Sequence, residues 1–223
     1  MTETVRNSPG AAPRVGRPRR GTEADRADAL LNAATQIFLA EGFERASIDK
    51  VASEARVSTR TIYQRYRNKA DLLTAVIARL VERDLGALLG SSELGRLPPA
   101  EALRLFARTV ARSLAEGNAA ALFRIVASEA RHFPEFGETL RGVTKVRMES
   151  ALAGYLRQRT DSGELALDDP DRAAALFMQM IRGEIHERCL FGTDEVLAQL
   201  DVDGHADYVV EMFLSGALPR HPR

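Results

Sequence analysis

An all-α fold is predicted by three features of the chain. Apolar residues recur at i, i+3, i+4 and i+7; Pro, Ser, Asn or Asp opens most of these stretches and Gly, Asn or Pro closes them; neither a convincing alternating strand nor an internal repeat occurs. At 223 residues, 45% hydrophobic and 28% charged, the chain can bury a core and is long enough for two modest domains. No stretch approaches the roughly 18 to 20 apolar residues of a membrane span, and the first thirty residues lack the apolar middle of a secretion signal. Together with a single cysteine, Cys189, which can form no internal disulfide, this leads us to expect a cytoplasmic protein held together by packing.

Met1 to Thr22 is rich in Arg, Pro and Gly and shows no helical period, the composition of a disordered basic arm. From Asp25 the pattern changes. Leu30, Leu31, Ala34, Ile37 and Phe38 form one apolar stripe, and Gly42 stops that helix. Ser47 then caps a short helix whose stripe is Ile48, Val51, Ala52 and Ala55, and Ser58 caps another, Thr59 to Tyr66. Two short capped helices joined by Arg56-Val57-Ser58 make a helix-turn-helix arrangement.

Asn68 caps a long helix, Lys69 to Leu89, which at 1.5 Å per residue spans about 30 Å. Gly90 to Pro98 reads as a boundary. Helices are then expected over Pro99 to Glu116, Ala119 to Arg131, Pro134 to Arg159, Pro170 to Phe191, Asp194 to Leu200 and Ala206 to Leu218. The domain expectation is an arm over 1–22, a helix-turn-helix unit over 23–70 and a larger helical domain over 71–223.

The zero net charge conceals a polarity along the chain. Residues 1–70 carry 13 Lys/Arg against 8 Asp/Glu, or +5, leaving 18 against 23, or −5, for residues 71–223. A cationic first third suits a segment that meets a polyanion. In the second short helix Thr59, Arg60, Thr61 and Gln64 face away from the core phase of Ile62. Arginine can bond guanine O6 and N7, Gln can pair with adenine, and threonine methyls can meet thymine, in a major groove that admits one helix. Tyr63, Arg65 and Lys69 would flank that groove at phosphates. A merely solvated polar face would carry the same residue types.

The segment Ser47-Ile48-Asp49-Lys50-Val51-Ala52, then Val57-Ser58, then Thr61-Ile62-Tyr63-Gln64-Arg65-Tyr66-Arg67-Asn68-Lys69-Ala70-Asp71-Leu72-Leu73 resembles the TetR/AcrR family of bacterial transcription regulators over residues 25 to about 75. The resemblance implies phosphate contacts from Ser47, Tyr63, Arg65 and Lys69, base contacts from Thr59, Arg60 and Thr61, and an inward Tyr66. Arg56 departs from the family's pattern, which has glycine in the turn; a left-handed backbone there costs a non-glycine residue roughly 1 kcal/mol. In the arm, Arg14-Val15-Gly16-Arg17-Pro18-Arg19-Arg20 looks like a minor-groove hook. It reads equally as a solvated tail that adds affinity by counterion release. The expected DNA-contacting set is therefore Arg17, Arg19, Ser47, Ser58, Thr59, Arg60, Thr61, Tyr63, Gln64, Arg65 and Lys69.

Leu122 to Phe136 looks like the family's subgroup with an AefR-type C-terminal domain, which implies a helical core that binds a small molecule and last major helices that build a dimer. Candidate ligand contacts are Phe106, Phe123, Val126, Phe133, Met148, Leu152, Phe177 and Ile181, with Phe136 and Met180 also considered and Glu129, His132, Glu184 and His186 as polar anchors. Any one of them equally suits ordinary core or surface. A two-fold dimer must hold its recognition helices about 34 Å apart, and Pro170 to Phe191 with Ala206 to Leu218 is the expected surface. There, Ala173, Ala174, Leu176, Phe177, Met180, Ile181, Tyr208, Val209, Met212 and Phe213 are shared between interface and core in an unresolved division.

No phosphate loop, nucleophile elbow or H-E-x-x-H occurs, and His132, His186, His205 and His221 lack ligand spacing. No catalysis, metal or cofactor is expected. The expectation is a homodimeric repressor on a pseudo-palindromic double-stranded DNA operator, released by a small-molecule effector. The alternatives are a ligand-independent architectural DNA-binding protein and a ligand carrier that ignores DNA.

Overall fold

A computed structural model describes residues 23–90, 94–115, 118–142 and 148–217. The described residues are helical, without strands: α1 (Glu23–Arg45), α2 (Ile48–Glu54), α3 (Thr59–Tyr63), α4 (Lys69–Gly90), α5 (Pro99–Ala115), α6 (Asn118–Glu129), α7 (Pro134–Arg141), α8 (Ser150–Asp161), α9 (Pro170–Phe191), α10 (Asp194–Ala198) and α11 (Val202–Ala217). No helix among them is long and apolar enough to cross a membrane. Arg17 and Arg19 lie outside the described residues.

Local chemistry sets most boundaries. Gly42 breaks α1 with φ 76° and ψ 172°, a conformation that glycine adopts without Cβ strain. Asn68 Oδ1 accepts from Asp71 N at 2.8 Å while Asp71 Oδ2 accepts from Arg67 N at 3.1 Å, a reciprocal cap that starts α4. Asp169 accepts from Arg172 N at 3.0 Å and starts α9 with Pro170 at its first position.

Within the stretch expected as one helix over Pro134 to Arg159, the described residues form α7 and α8; Gly142 and Glu149 at their facing ends keep helical φ/ψ, and 143–147 lie outside the described residues. The two parts serve different cores: Phe136 turns toward α1 and α4, whereas Leu152, Ala153, Tyr155 and Leu156 enter the C-terminal core. The final helix starts at Val202 rather than Ala206, since Asp201 accepts from Gly204 N at 3.0 Å.

Two hydrophobic cores result. The first is built by α1 to α4 around Phe38, Ile62, Leu72 and Leu73, all fully buried, and takes in Leu122, Val126 and Phe136 from α6 and α7. It therefore extends past residue 70 along α4 through Val76, Ile77 and Leu80. The second joins α5, α8, α9 and α11 around Phe106, Leu152, Phe177 and Ile181. Full burial of such side chains stabilises by about 1.5–3 kcal/mol each. Arg108–Asp207 and Arg112–Asp203 pairs align α5 with α11.

Candidate nucleic-acid interface and cavity

The helix-turn-helix is built from two caps and one turn. Ser47 accepts from Lys50 N at 3.2 Å, and Ser58 accepts from Thr61 N at 3.1 Å. Between them α2 ends in paired bonds, Arg56 N to Ser53 O and Val57 N to Ala52 O, the pattern that places a left-handed residue just past the helix. Arg56 occupies that position with φ 55°, so the family departure noted in the sequence is a left-handed arginine.

Ile62 is fully buried and anchors α3, while its last turn continues through bonds from Arg65 N and Tyr66 N to Ile62 O. This phase leaves Arg60, Thr61, Gln64 and Arg65 exposed, Thr59 half-buried and Tyr63 54% exposed, with Tyr66 packed against the core. The hydroxyls of Ser58 and Thr61 are 2.8 Å apart.

Lys69 does not sit as the sequence suggested. Its Nζ donates to Glu44 O at 2.9 Å and Ala46 O at 3.0 Å and lies 4.6 Å from the centre of the Phe43 ring. The carbonyls ending α1 face the start of α4, and an ammonium is the group that satisfies them. Lys69→Met is expected to lower stability by about 1–3 kcal/mol in chemical denaturation and to leave the salt slope of DNA binding intact. Unaltered stability with a slope smaller by about one would return Lys69 to the phosphates.

A cavity of about 270 Å³ lies between the two cores. Ile77 and Leu80 of α4, Val110 and Leu114 of α5, Leu122, Phe123 and Val126 of α6, and Leu140 of α7 form its apolar wall, with Met148 and Met178. Ser113, Arg141, Gln179, Arg182 and His186 supply polar groups. Of the expected ligand contacts, Phe123, Val126 and Met148 line it, as does the anchor His186. Phe106, Leu152, Phe177 and Ile181 do not: they are fully buried in the second core, where α5, α8, α9 and α11 close over them. Phe133 lies elsewhere too, with its ring 4.9 Å from Phe43 and 5.2 Å from Phe136. Glu184 instead pairs with Arg188, and His132 is exposed. Arg182 and Gln179 were missed; their spacing of four and seven residues from His186 on α9 was the available signal.

His186 stacks on Phe123 with ring centres 4.0 Å apart. Burial first, and then the Arg182 charge, lowers its pKa to about 4, so the ring is neutral near pH 7. The unfolded chain, titrating near 6.5, binds the proton more readily; the stability held by the neutral ring is complete above pH 6.5 and lost as pH falls toward 4. His186→Phe retains the stack and is expected to flatten stability between pH 6.5 and 4. An undiminished pH dependence in denaturation would contradict this.

Apolar side chains also line the outside of α9 and α11. Leu176, Met180, Leu190 and Phe191 on α9 and Tyr208 and Met212 on α11 are exposed, Phe191 at 86% and Tyr208 at 63%. Ala174, Phe177, Ile181 and Val209 face the core, and Ala173 and Phe213 are half-buried, which shows which of these residues belong to the chain's own core. Among the described residues no group of three His, Cys, Asp or Glu is placed to hold a metal.

Comparison with known proteins matches residues 30–76 to the family described as bacterial regulatory proteins, tetR family, and residues 101–216 to the AefR-like transcriptional repressor C-terminal domain. The transcriptional regulator AcuR of Cereibacter sphaeroides is 31% identical over 183 residues, covering 79% of this chain and 82% of that one. The structure of a chain described as a TetR-family transcriptional regulator from Mesorhizobium loti superposes with a TM-score of 0.76 at 22% identity, over 89% of this chain and all of the other. The flavonoid-responsive regulator FrrA superposes with a TM-score of 0.64 at 28% identity, again over 89% and 100%.

Proposed function

This chain belongs to the TetR family of bacterial regulatory proteins, with an AefR-like C-terminal domain, and from that premise we propose that it is a homodimeric repressor. It holds a pseudo-palindromic operator through its helix-turn-helix and is released when a small molecule fills the cavity. Membership makes it a transcription regulator with a DNA-binding N-terminal domain. In our reading residues 1–22 and 23–70 meet DNA, and residues 71–223 bind effector and partner in the cytoplasm without catalysis.

The observation that carries the proposal is the exposed polar face of α3, held out by buried Ile62 and framed by two serine caps. Thr59, Arg60, Thr61 and Gln64 read bases; Ser47, Ser58, Tyr63 and Arg65 hold phosphates; Arg17 and Arg19 enter the minor groove. The exposed apolar stripe of α9 and α11 supports the dimer, since it supplies the self-complementary surface that an isologous contact needs. A responsive regulator among the structural relatives supports the effector.

Release requires that ligand favour a conformation unable to bind DNA. The α4 helix gives Ile77 and Leu80 to the cavity and Leu72, Leu73 and Val76 to the first core. Its displacement therefore changes the separation of the two Thr61 residues across the dimer.

Genomic footprinting followed by titration tests the proposal. The footprinted operator is expected to bind roughly 10³-fold or more above random DNA at physiological salt. Arg60→Ala is expected to relax specificity at one position at a cost of about 1–3 kcal/mol. Uniform coating of any duplex would instead establish the architectural alternative.

A further inference from the structure

The polar groups of the cavity are unbalanced between donors and acceptors. A guanidinium carries five N–H donors. Arg182 uses its Nε–H on Met178 O at 3.2 Å and one Nη2–H on Glu149 Oε1 at 2.9 Å, which leaves three without a protein acceptor among the described residues. The side chain is only 13% exposed, and it lines the cavity. His186, one helical turn further along α9, stands beside it in the same wall as a neutral ring. Arg141 of α7 lines the cavity as well, and no carboxylate among the described residues pairs with it.

Formal charge points the same way. Among the described residues, Glu149, 11% exposed, offsets Arg182, and Arg141, which is exposed and lines the cavity, has no carboxylate partner, so the described charged groups there sum to +1. Apart from Ser113, Gln179 and His186, the remaining wall is hydrocarbon. A cation placed here meets two guanidiniums, and a hydrocarbon ligand leaves desolvated N–H donors without acceptors, while a neutral carbonyl supplies one acceptor oxygen and no charge. A carboxylate answers both demands, because its two oxygens match the edge of a guanidinium.

We propose that this cavity takes a small amphipathic monocarboxylate. Its carboxylate rests on the open N–H edge of Arg182 beside His186, and its hydrocarbon body lies along Phe123, Val126, Met148 and Met178. The volume of about 270 Å³ suits a ligand of roughly ten heavy atoms. The assignment rests on reading the cavity as the effector site, and it adds the chemical class.

Calorimetric titration of the full chain with octanoate, octanamide and octylamine tests it, since the three share a chain and differ in head-group charge. Octanoate is expected to bind at least about tenfold tighter than octanamide, with octylamine not binding. The double variant Arg182→Gln with Glu149→Gln removes both charges of the buried pair together, so no lone charge is left in the wall. Its octanoate preference is expected to fall to within about twofold while circular dichroism stays native. Arg141→Gln is expected to weaken octanoate several-fold.

Octanamide equal to octanoate, no octanoate binding at millimolar concentration, or a preference that survives in the folded double variant would each overturn the proposal. Operator release measured in parallel separates this proposal from the functional reading beneath it. Octanoate that binds selectively yet leaves DNA affinity unchanged supports the carboxylate site and removes the effector role. Octanamide that binds and releases DNA as well as octanoate overturns the carboxylate class and retains the effector role.

Discussion

A chain carrying Leu176→Glu and Tyr208→Glu is expected to sediment as a monomer at micromolar concentration and to hold its operator at least about 10²-fold more weakly than the parent. Both residues are exposed in the single chain, on the neighbouring helices α9 and α11, so the substitutions remove no core packing. In the two-fold dimer each carboxylate would be buried against the partner's apolar stripe, and two copies of each would enter the contact. Desolvating unpaired charge there costs far more than an exposed apolar residue contributes.

The operator effect follows from geometry. Once one recognition helix is seated, the dimer presents the second at high effective concentration, and a monomer loses that gain without losing any contact of its own. Gel-shift titration with a full and a half operator is the decisive measurement. A variant that remains dimeric, or a monomer with parental affinity for the full operator, would show that α9 and α11 do not set the spacing.

Phe136→Ala is expected to cost about 3–5 kcal/mol. At roughly 2–4 °C per kcal/mol for a chain of this size, the thermal midpoint falls by roughly 6–20 °C. The ring is fully buried, with its centre 5.0 Å from Phe43 and 5.2 Å from Phe133, and Phe43 in turn lies beneath Lys69. The helix that carries it, α7, also lines the cavity through Gly137, Leu140 and Arg141. One short helix thus touches the cavity on one side and the end of α1 on the other.

Truncation should therefore also uncouple the two sites, so that ligand still binds but shifts operator affinity less than in the parent. Coupling free energies of this kind are typically about 1–3 kcal/mol, well within what a loosened aromatic contact can absorb. Circular dichroism melting gives the first quantity and operator titration with and without ligand gives the second. An unchanged melting midpoint would mean that the aromatic contact contributes nothing to stability, and an unchanged ligand response would exclude α7 from the coupling.

The recognition unit was legible in the sequence because its determinants are local. Ser47, Ser58 and Asn68 each cap a helix that begins within three residues of them, and Ile62 fixes the phase of α3 by being its one large aliphatic side chain. The Schellman-type bonds around Arg56 need only the five residues from Ala52 to Arg56 and their neighbour Val57. The lining of the cavity was legible only in part. Phe123, Val126 and Met148 share apolar periodicity with Phe106, Leu152 and Phe177, and nothing in spacing says which set meets a void and which meets its neighbours.

The amino-acid order by itself settled the helical class, the boundaries governed by capping side chains, and the outward face of α3, since each depends on contacts within a few residues along the chain. Tertiary structure alone decided that Lys69 turns to the carbonyls of Glu44 and Ala46, that α7 and α8 serve different cores, that Arg182 and Glu149 pair beside a cavity, and which half of α9 remains outside the chain's own core. Those outcomes join residues as many as thirty-three positions apart. Periodicity identifies an apolar face, but the surface that covers that face is fixed only when separate helices pack.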